Sequence, residues 1–346
     1  MATPPSQSTK ASQSITLSQG SGGAASNALI ENIFLRYLRE HFVTLGEDAG
    51  VFSAHGQLAV STDSFVITPL IFPGGDIGKL SVCGSSNDVA MMGAKPLYMS
   101  LGFMLEEGLS IALLESIVQS IANELALTGI KLLSADTKVV PKGSVDKLFI
   151  NTTCIGQILQ PGISAKSVSI GDAIIISAPI GAHGASIFAS RETIGLESSV
   201  QSDCAQLFPM LEPLLGRDLA IHAMRDATRG GLGAVLHEWA QDLPICIEID
   251  EAQIPIDERV RGICEILGLE STHLANEGVC VLSVAEKDSA QVCEILRRHS
   301  LGAKARVIGR VCAPSAQTTS RVVLVNDWGG RAFMEYPQGE LLPRIC

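Results

Sequence analysis

The sequence is poor in basic residues. Lysine and arginine together number 25, against 36 aspartate and glutamate residues, which gives a formal net charge of −11. Because phosphate contacts need clustered Lys and Arg, this balance disfavours a nucleic-acid-binding protein. ATP binding remains possible, since a few local amides, cations and metal ions can outweigh a negative total.

Paired cysteines are also lacking. The nine cysteines are odd in number and none forms a Cys-x-x-Cys pair, so neither a disulfide framework nor a zinc ribbon is indicated. Most lie in apolar runs, where cysteine usually serves as a small buried residue. Cys346, the last residue, is the exception.

Long hydrophobic runs are absent too. No run reaches the ~18–20 apolar residues that span a bilayer, so no membrane partner is expected. Residues 1–19 are rich in Ser, Thr and Pro and lack the charged start and apolar centre of a secretory signal. They are predicted to form a flexible arm, and a cytoplasmic location is expected.

The chain has 346 residues, 46% of them hydrophobic, which predicts more than one core. Pro161-Gly162 is a plausible linker, and the alternation of strands and helices restarts beyond it, so the fold class is α+β with two halves of similar size. The predicted divisions are an arm with a glycine loop and first helix (1–44), a first domain (45–160), a second domain (161–312) and a mobile tail (313–346).

Hydrophobic periodicity indicates the main elements. Apolar positions recur at spacings of three and four over 29–42, which predicts a helix. The segment 58–67 is expected to be a strand, 77–92 a helix, 131–133 a strand that ends before residue 136, and 202–215 a helix.

Gly20-Ser21-Gly22-Gly23 precedes the first predicted helix. Glycine lets the backbone approach a phosphate closely, and the helix N-terminus adds partial positive charge. The motif alone is also compatible with a flexible linker.

Four acidic positions lie beside small residues at predicted element ends or inside apolar runs: Asp48, Asp63, Asp88 and Asp226. Buried carboxylates are costly unless a cation offsets them, and Mg²⁺ prefers such oxygen ligands. Each could instead be a helix cap or turn residue, and sequence spacing alone does not show that they converge.

Three further residues are candidates for proton or phosphate handling. Lys138, in Asp136-Thr137-Lys138, could neutralise a phosphate or remove a proton, or be an ordinary solvated lysine. Glu277 could be a base or a loop residue. His183 could contact a phosphate, although a lone loop histidine is more often structural.

Cys346 lies too close to the end of the chain for prenylation. A terminal thiol gains little from packing but has great reach, since the tail can extend roughly 110 Å at the limiting length per residue. Such reach suits a group that visits several sites, although the cysteine could also be accidental.

These motifs together resemble the HypE family of hydrogenase maturation proteins, over about residues 15–346. The matching segments are Gly20-Ser21-Gly22-Gly23, Ser61-Thr62-Asp63-Ser64, Phe72-Pro73-Gly74-Gly75, Asn87-Asp88-Val89-Ala90, Leu105-Glu106-Glu107-Gly108, Asp136-Thr137-Lys138-Val139-Val140, Lys147-Leu148-Phe149-Ile150-Asn151-Thr152, Arg225-Asp226-Ala227-Thr228-Arg229-Gly230-Gly231, Ala275-Asn276-Glu277-Gly278 and Pro343-Arg344-Ile345-Cys346.

The resemblance implies a two-domain fold like aminoimidazole ribonucleotide synthetase (PurM-like), with ATP between the first domains of a homodimer. It implies that Cys346 is carbamoylated by HypF, that MgATP drives dehydration of the carbamoyl group to a thiocyanate, and that cyanide passes to iron on a HypC–HypD complex. The catalytic residues so implied are Cys346, Lys138 and Glu277. The implied ATP-binding residues are Gly20, Ser21, Gly22, Gly23, Asp63, Asn87, Asp136, Thr137, His183 and Arg229. The implied metal ligands are Asp48, Asp63, Asp88 and Asp226.

Two positions depart from the family pattern: Ala182 replaces an aspartate and Ala135 replaces a glycine in many relatives. No carboxylate role can therefore be assigned at position 182. Rival hypotheses are another ATP-using enzyme of the same fold (a selenophosphate synthetase, a thiamine-phosphate kinase or a purine ligase) and a non-catalytic carrier that presents Cys346. The rival enzymes do not explain a terminal thiol, and a carrier does not explain the acidic motifs.

Overall fold

The computed structural model describes residues 14–47, 49–191, 195, 197–241, 243–314, 322–337 and 344–346. The first domain contains strands β1 to β6 and helices α1 to α4. Their bounds are β1 Leu58–Phe65, β2 Ile71–Phe72, β3 Gly75–Asp76, β4 Ala94–Glu106, β5 Lys131–Val140, β6 Leu148–Ile158, α1 Gly23–Leu29, α2 Leu35–Leu38, α3 Ile77–Met91 and α4 Ile111–Thr128.

Four strands of this domain form one sheet in the order β1-β6-β4-β5, in which only β4 and β5 run parallel. Helices α3 and α4 cover one face with a core that includes Leu80, Leu114 and Ile121. The other face, called the outer face below, leaves Leu58 41%, Val60 63% and Met104 39% exposed.

Local sequence explains where the principal helices begin and end. Asp76 caps α3 by accepting a hydrogen bond from the Lys79 amide at 2.9 Å, as N-cap aspartates do. Helix α4 ends at Gly129, whose φ of 72° is the left-handed conformation that glycine adopts without strain. The predicted helix over 29–42 is divided into α1, a π-helical turn at Ile30–Phe34 and α2.

Helix α4 is long and apolar enough, by length and composition alone, to cross a membrane. Its residues Leu114, Ile117, Val118 and Ile121 are fully buried in the first-domain core. A core helix of this kind passes the same test of length and composition.

The second domain has a seven-stranded sheet in the order β13-β12-β9-β11-β7-β10-β8. Its strands are β7 Asp172–Ile176, β8 Ile221–Asp226, β9 Cys246–Asp250, β10 Cys280–Ala285, β11 Arg306–Cys312, β12 Val322–Val325 and β13 Arg331–Phe333, and its helices are α5 Ala182–Ala189, α6 Phe208–Leu211, α7 Gly231–Gln241, α8 Glu258–Leu267 and α9 Glu286–Arg297.

The structure corrects the predicted tail. Strand β12 pairs in parallel with β9, β13 pairs with β12, and Val322 and Val323 are buried. The second domain therefore extends through residue 333 at least, and the segment 313–346 is not one mobile unit. The prolines and glycines of this segment suggested flexibility, but the apolar run 322–325 satisfies its backbone groups in the sheet.

Two further predictions of secondary structure are wrong. The helix expected over 202–215 is limited to α6, because Ser202 and Asp203 use their side chains to bind backbone amides, a habit that competes with helix formation. Strand β5 continues through Asp136, Thr137 and Lys138, which were expected to follow it.

Candidate active site

The last three residues of the chain contact both domains, and Cys346 lines a groove between them. The Thr68 amide donates to the Arg344 carbonyl at 3.2 Å, and the Val66 amide donates to a main-chain oxygen of Cys346 at 3.0 Å. The Ile345 side chain is 4% exposed and packs in the first-domain core. The end of the tail is thus added to the segment 66–68 like a short strand.

Side chains from both domains hold this end of the tail. Arg344 forms an ion pair with Asp146 at 2.7 Å, and Arg191 donates to the Arg344 carbonyl at 3.2 Å. His183 Nε2 lies 2.8 Å from the Ile345 carbonyl. All three contacts are made to the backbone or to a charged side chain of residues 344 and 345, and none of them is made to the thiol.

His183 is fully buried, and burial lowers its pKa to about 4. The imidazole is therefore neutral near pH 7, and Nε2 must carry the proton that it shares with the Ile345 carbonyl. The prediction that His183 contacts a nucleotide phosphate is not supported in this conformation, because the tail occupies its ring. His183 instead binds the backbone of Ile345, the residue next to Cys346.

The Cys346 thiol lines a groove of about 560 Å³. Burial raises its pKa to about 12, and the charge of Glu277 contributes. A docked thiol is consequently protonated at neutral pH and a poor nucleophile. Any reaction that needs the free thiolate must take place with the tail undocked.

We expect docking of the tail to weaken as pH rises above the ordinary thiol pKa of 9.0. Since the docked pKa is raised, docking is fully favourable below pH 9 and is lost between pH 9 and 12, by up to about tenfold per unit. The measurement is the alkylation rate of Cys346 by iodoacetamide, divided by that of a free peptide with the same last residues. A ratio that stays constant from pH 8 to 11 would contradict the docked environment.

Four carboxylates line the same groove as Cys346: Asp63, Asp88, Asp226 and Glu277. Asp63 comes from β1, and Ser61 on that strand donates to Asp88 of α3 at 2.6 Å. Asp226 ends β8, and its partner across to β10 is Cys280, so Glu277, three residues before Cys280, emerges at the same end of that sheet. Two sheets and one helix therefore bring these groups together.

These carboxylates repel one another. Burial raises the pKa of Asp226 to about 7, and the charge of Asp88 adds to it. Burial likewise raises the pKa of Glu277 well above its ordinary value, with a contribution from Asp226. Arg229 lines the groove as well. Such a set of carboxylates favours a bound cation or a proton.

The donor set fits Mg²⁺ only when other oxygens complete it. Among the residues that the structure describes, no three His, Cys, Asp or Glu side chains are close enough to hold an ion alone. Mg²⁺ commonly takes one or two carboxylates together with water and phosphate oxygens, and each of Asp63, Asp88 and Asp226 offers one such carboxylate at this groove. The predicted ligand Asp48 lies outside the described residues.

Asn87 does not face the groove, contrary to the prediction that it binds ATP. It is 1% exposed, and its amide group is used up by the backbone. Its Nδ2 donates to the carbonyls of Ala205 (3.0 Å) and Glu277 (3.4 Å), and its Oδ1 accepts from the Leu207 amide (2.8 Å). Asn87 therefore fixes α3 to the loops around Glu277.

Gly278 is required beside Glu277. A Cβ atom at position 278 would lie 1.9 Å from the Asp203 carbonyl oxygen. We expect Gly278→Ala to destabilise the protein by at least ~2 kcal/mol through this overlap, as measured by urea unfolding. Gly262→Ala in α8 is the matched control, since its Cβ would meet nothing within 4 Å; equal effects of the two substitutions would contradict the close packing.

The glycine loop and Lys138 lie at a second cavity, of about 650 Å³. Gly20, Gly22, Asp136, Thr137 and Lys138 line it together with apolar side chains that include Leu29 and Phe34. Gly22 and Gly23 have φ values of 82° and 75°, which favour glycine. The hydroxyl of Ser21 donates to the Leu17 carbonyl at 3.0 Å.

Lys138 is not brought to Glu277 within one chain. The register across the first sheet aligns Asp63 with Thr152, Leu101 and Ala135, so β1 and β5 are the two edges, three strand spacings or ~14 Å apart. Lys138 pairs with Asp136 at 2.9 Å, and both side chains are about two-thirds exposed. Within one chain, the part of the predicted site that contains Lys138 and the part that contains Glu277 are therefore separate.

Sequence reasoning missed Asp146, Arg191, Ser202 and Asp203. None lies in a glycine-rich or acidic motif, and each acts through contacts distant in sequence. Only the polar pair Ser202-Asp203, inside an otherwise helical pattern, hinted at a special local structure.

Comparison with known proteins agrees with this architecture. The family model for the AIR synthase related protein, N-terminal domain, matches residues 46–158, and that for the C-terminal domain matches residues 169–319. Carbamoyl dehydratase HypE of Escherichia coli (strain K12) is 43% identical over 340 residues, which cover 96% of this chain and 99% of that protein. The two-domain PurM-like fold predicted from the sequence is confirmed.

Solved structures are similar as well. The crystal structure of a hydrogenase maturation protein HypE in complex with ATP is 40% identical, with a TM-score of 0.91, and covers 96% of this chain and 99% of that one. A HypE chain in a HypE–HypF complex is 38% identical, with a TM-score of 0.76, over 90% of this chain and all of that one.

Proposed function

The chain belongs to the carbamoyl dehydratase HypE family, and on that premise we propose that it dehydrates a carbamoyl group carried on the Cys346 thiol to a thiocyanate. The observation that carries the proposal is the position of this thiol, at the end of the chain, in a groove lined by Glu277 and three aspartates. A carbamoyl group on Cys346 would lie beside a base and beside ligands for a phosphate-bound cation.

The reaction needs ATP because the carbamoyl oxygen cannot leave as oxide. Transfer of the terminal phosphoryl group of ATP to that oxygen forms an O–P bond and releases ADP. Loss of the phosphorylated oxygen as inorganic phosphate, together with the two N–H protons, converts S–C(=O)–NH₂ into S–C≡N. The water formally removed therefore leaves within the phosphate, and no oxidant or reductant is required.

Glu277 is positioned to accept one of the two N–H protons during these reaction steps. It lines the groove with Cys346 and is 3% exposed. Because burial raises its pKa well above that of an ordinary carboxyl, it is a stronger base when ionised. Burial of Glu277 also limits the access of water to the activated group, which would otherwise hydrolyse.

We assign Asp63, Asp88 and Asp226 as the residues that would hold Mg²⁺. A bound Mg²⁺ supplies charge neutralisation for the transferred phosphoryl group. Burial, together with the charge of neighbouring carboxylates, raises the pKa of Asp226 and Asp88, and this unfavourable grouping of acidic side chains supports the assignment.

The nucleoside part of ATP is proposed to lie in the second cavity. The backbone of the glycine loop can approach phosphates there, and Leu29 and Phe34 offer an apolar wall to the base. A relative binds ATP, which supports ATP as the nucleotide.

A homodimer would unite the two halves of the site. Two copies that pack by their outer faces cover Leu58, Val60 and Met104, and a two-fold axis can place β1 of one copy beside β5 of the other. Lys138 of one chain then approaches the groove of its partner, where its charge stabilises the transferring phosphoryl group.

The tail must also leave the groove. We propose that the carbamoyltransferase HypF, which is present in the HypE–HypF complex of a relative, loads the undocked thiol, and that the cyanide is delivered to iron on HypC–HypD. The reaction is placed in the cytoplasm, where thiols stay reduced, in accord with nine cysteines that form no disulfide. No nucleic acid or membrane is required.

The test is the intact mass of carbamoylated protein with and without MgATP. We expect loss of one water per chain only with ATP, and none in the Cys346→Ala variant. Carbamoylated protein whose mass does not change with ATP, or changes equally without it, would overturn the proposal.

A further inference from the structure

The turn at residues 202–203 is connected to both reactive parts of the groove, to the tail through His183 and to Glu277 through the backbone. It lies in the loop between α5 and α6 and is held by the first domain, since the Ser202 amide donates to the Pro73 carbonyl at 2.8 Å. Gly74 allows this contact, because a Cβ there would lie 2.6 Å from the Ser202 carbonyl oxygen. The two side chains of this turn have no part in the chemistry described above.

Ser202 is connected to the tail through His183. The Cys204 amide donates to Ser202 Oγ at 3.1 Å, and Ser202 Oγ lies 2.7 Å from His183 Nδ1. Since Nε2 of the neutral ring carries the proton given to the Ile345 carbonyl, Nδ1 must accept the Ser202 hydroxyl proton. Ser202 therefore selects the His183 tautomer that can hold the residue next to Cys346.

Asp203 is hydrogen-bonded to the backbone of Glu277, the proposed base. Its Oδ1 accepts from the Glu277 amide and its Oδ2 from the Gly278 amide, both at 3.2 Å. The Ala205 amide donates in turn to the Glu277 carbonyl at 3.2 Å. The backbone of Glu277 is thus held from both sides by the chain that carries Ser202.

We propose that Ser202 and Asp203 are positioning residues, which set the Cys346 thiol and Glu277 relative to each other from one turn of chain. Ser202 acts through His183 on the tail, and Asp203 acts through the backbone on the base. The inference rests on the proposed role of Glu277. Its first part, the effect of Ser202 on the tail (the tail arm), concerns docking alone, and its second part, the effect of Asp203 on Glu277, is the base arm. Positioning of this kind is effective because small displacements of reacting groups cost large factors in rate.

The experiment compares full-length variants by two readouts. The first is alkylation of Cys346 by iodoacetamide, followed on the C-terminal peptide by mass spectrometry, which reports docking without any chemistry. The second is the single-turnover rate of ATP-dependent water loss from carbamoylated protein. Thermal unfolding shows that each variant is folded.

We expect Ser202→Ala to raise the alkylation rate about tenfold, and Ser202→Thr, which keeps the hydroxyl, to stay within about twofold of the unchanged protein. Asp203→Asn should leave alkylation within about twofold but slow water loss about a hundredfold. If Asp203→Asn does not fold, Asp203→Ser, which keeps one acceptor oxygen, replaces it. The expected result is the same: nearly unchanged alkylation and much slower water loss.

Equal alkylation of Ser202→Ala and Ser202→Thr would overturn the tail arm, whatever the outcome for dehydration. A parallel change of both readouts in the Asp203 variant would overturn the base arm and indicate general loosening. If the unchanged protein loses no water while the Ser202 variants still differ in alkylation, the proposed function fails and the docking role stands.

Discussion

Glu277→Gln is expected to slow the ATP-dependent loss of water from carbamoylated Cys346 by about a thousandfold, in keeping with removal of a general base. The amide preserves the shape of the side chain but cannot accept the proton. Because Glu277 shares the groove with the Cys346 thiol and is 3% exposed, no solvent base can easily replace it. Single-turnover mass spectrometry measures the rate.

Binding of ATP should be unchanged in the same variant, since the nucleoside cavity lies at the other edge of the first sheet. Glu258→Gln, at the exposed start of α8, is the matched control and should react at the normal rate. A Glu277→Gln variant that retains more than about a tenth of the rate would remove Glu277 from the proton-transfer step.

A mixture of two inactive variants is expected to regain activity. Lys138→Ala and Glu277→Gln should each be nearly inactive alone. In a dimer of either variant, both active sites lack the same essential side chain, Lys138 in one variant and Glu277 in the other. In a mixed dimer, one site combines the intact Lys138 of one chain with the intact Glu277 of the other. Random mixing makes about half of the dimers mixed, each with one good site, so about a quarter of the full rate should return.

The register of the first sheet is the reason for this expectation. It places Lys138 and Asp63 on opposite edges of one chain, so only a second copy can bring Lys138 to the groove. Subunits exchanged in mild denaturant and then reassembled provide the mixture, and each variant treated alone is the control. No recovery from verified mixed dimers would show that the site is not shared between chains.

The acidic residues of the groove could be selected as candidates from sequence motifs, whereas their convergence in one groove could not be predicted. Asp63, Asp88, Asp226 and Glu277 each adjoin small residues in recognisable motifs, and all four line one groove. Asn87 belongs to one of these motifs too, but a helix points neighbouring residues in different directions, so Asn87 contacts the backbone while Asp88 lines the groove.

Long-range pairing explains the other differences. Neither the separation of Lys138 from Glu277 nor the contact of His183 with Ile345 can be deduced from local patterns, because both depend on sheet register and on where the tail docks. The strands β12 and β13 were missed because glycine and proline around them resemble a linker, while pairing with β9 supplies their order.

The fate of the carbamoyl oxygen tests the central claim most directly. Cys346 is loaded with a carbamoyl group that carries oxygen-18, and one turnover is run with unlabelled ATP in unlabelled water. Activation by phosphorylation predicts one labelled oxygen in each inorganic phosphate released and a thiocyanate on Cys346. Unlabelled phosphate, with the label released to water or retained on the protein, would contradict the mechanism.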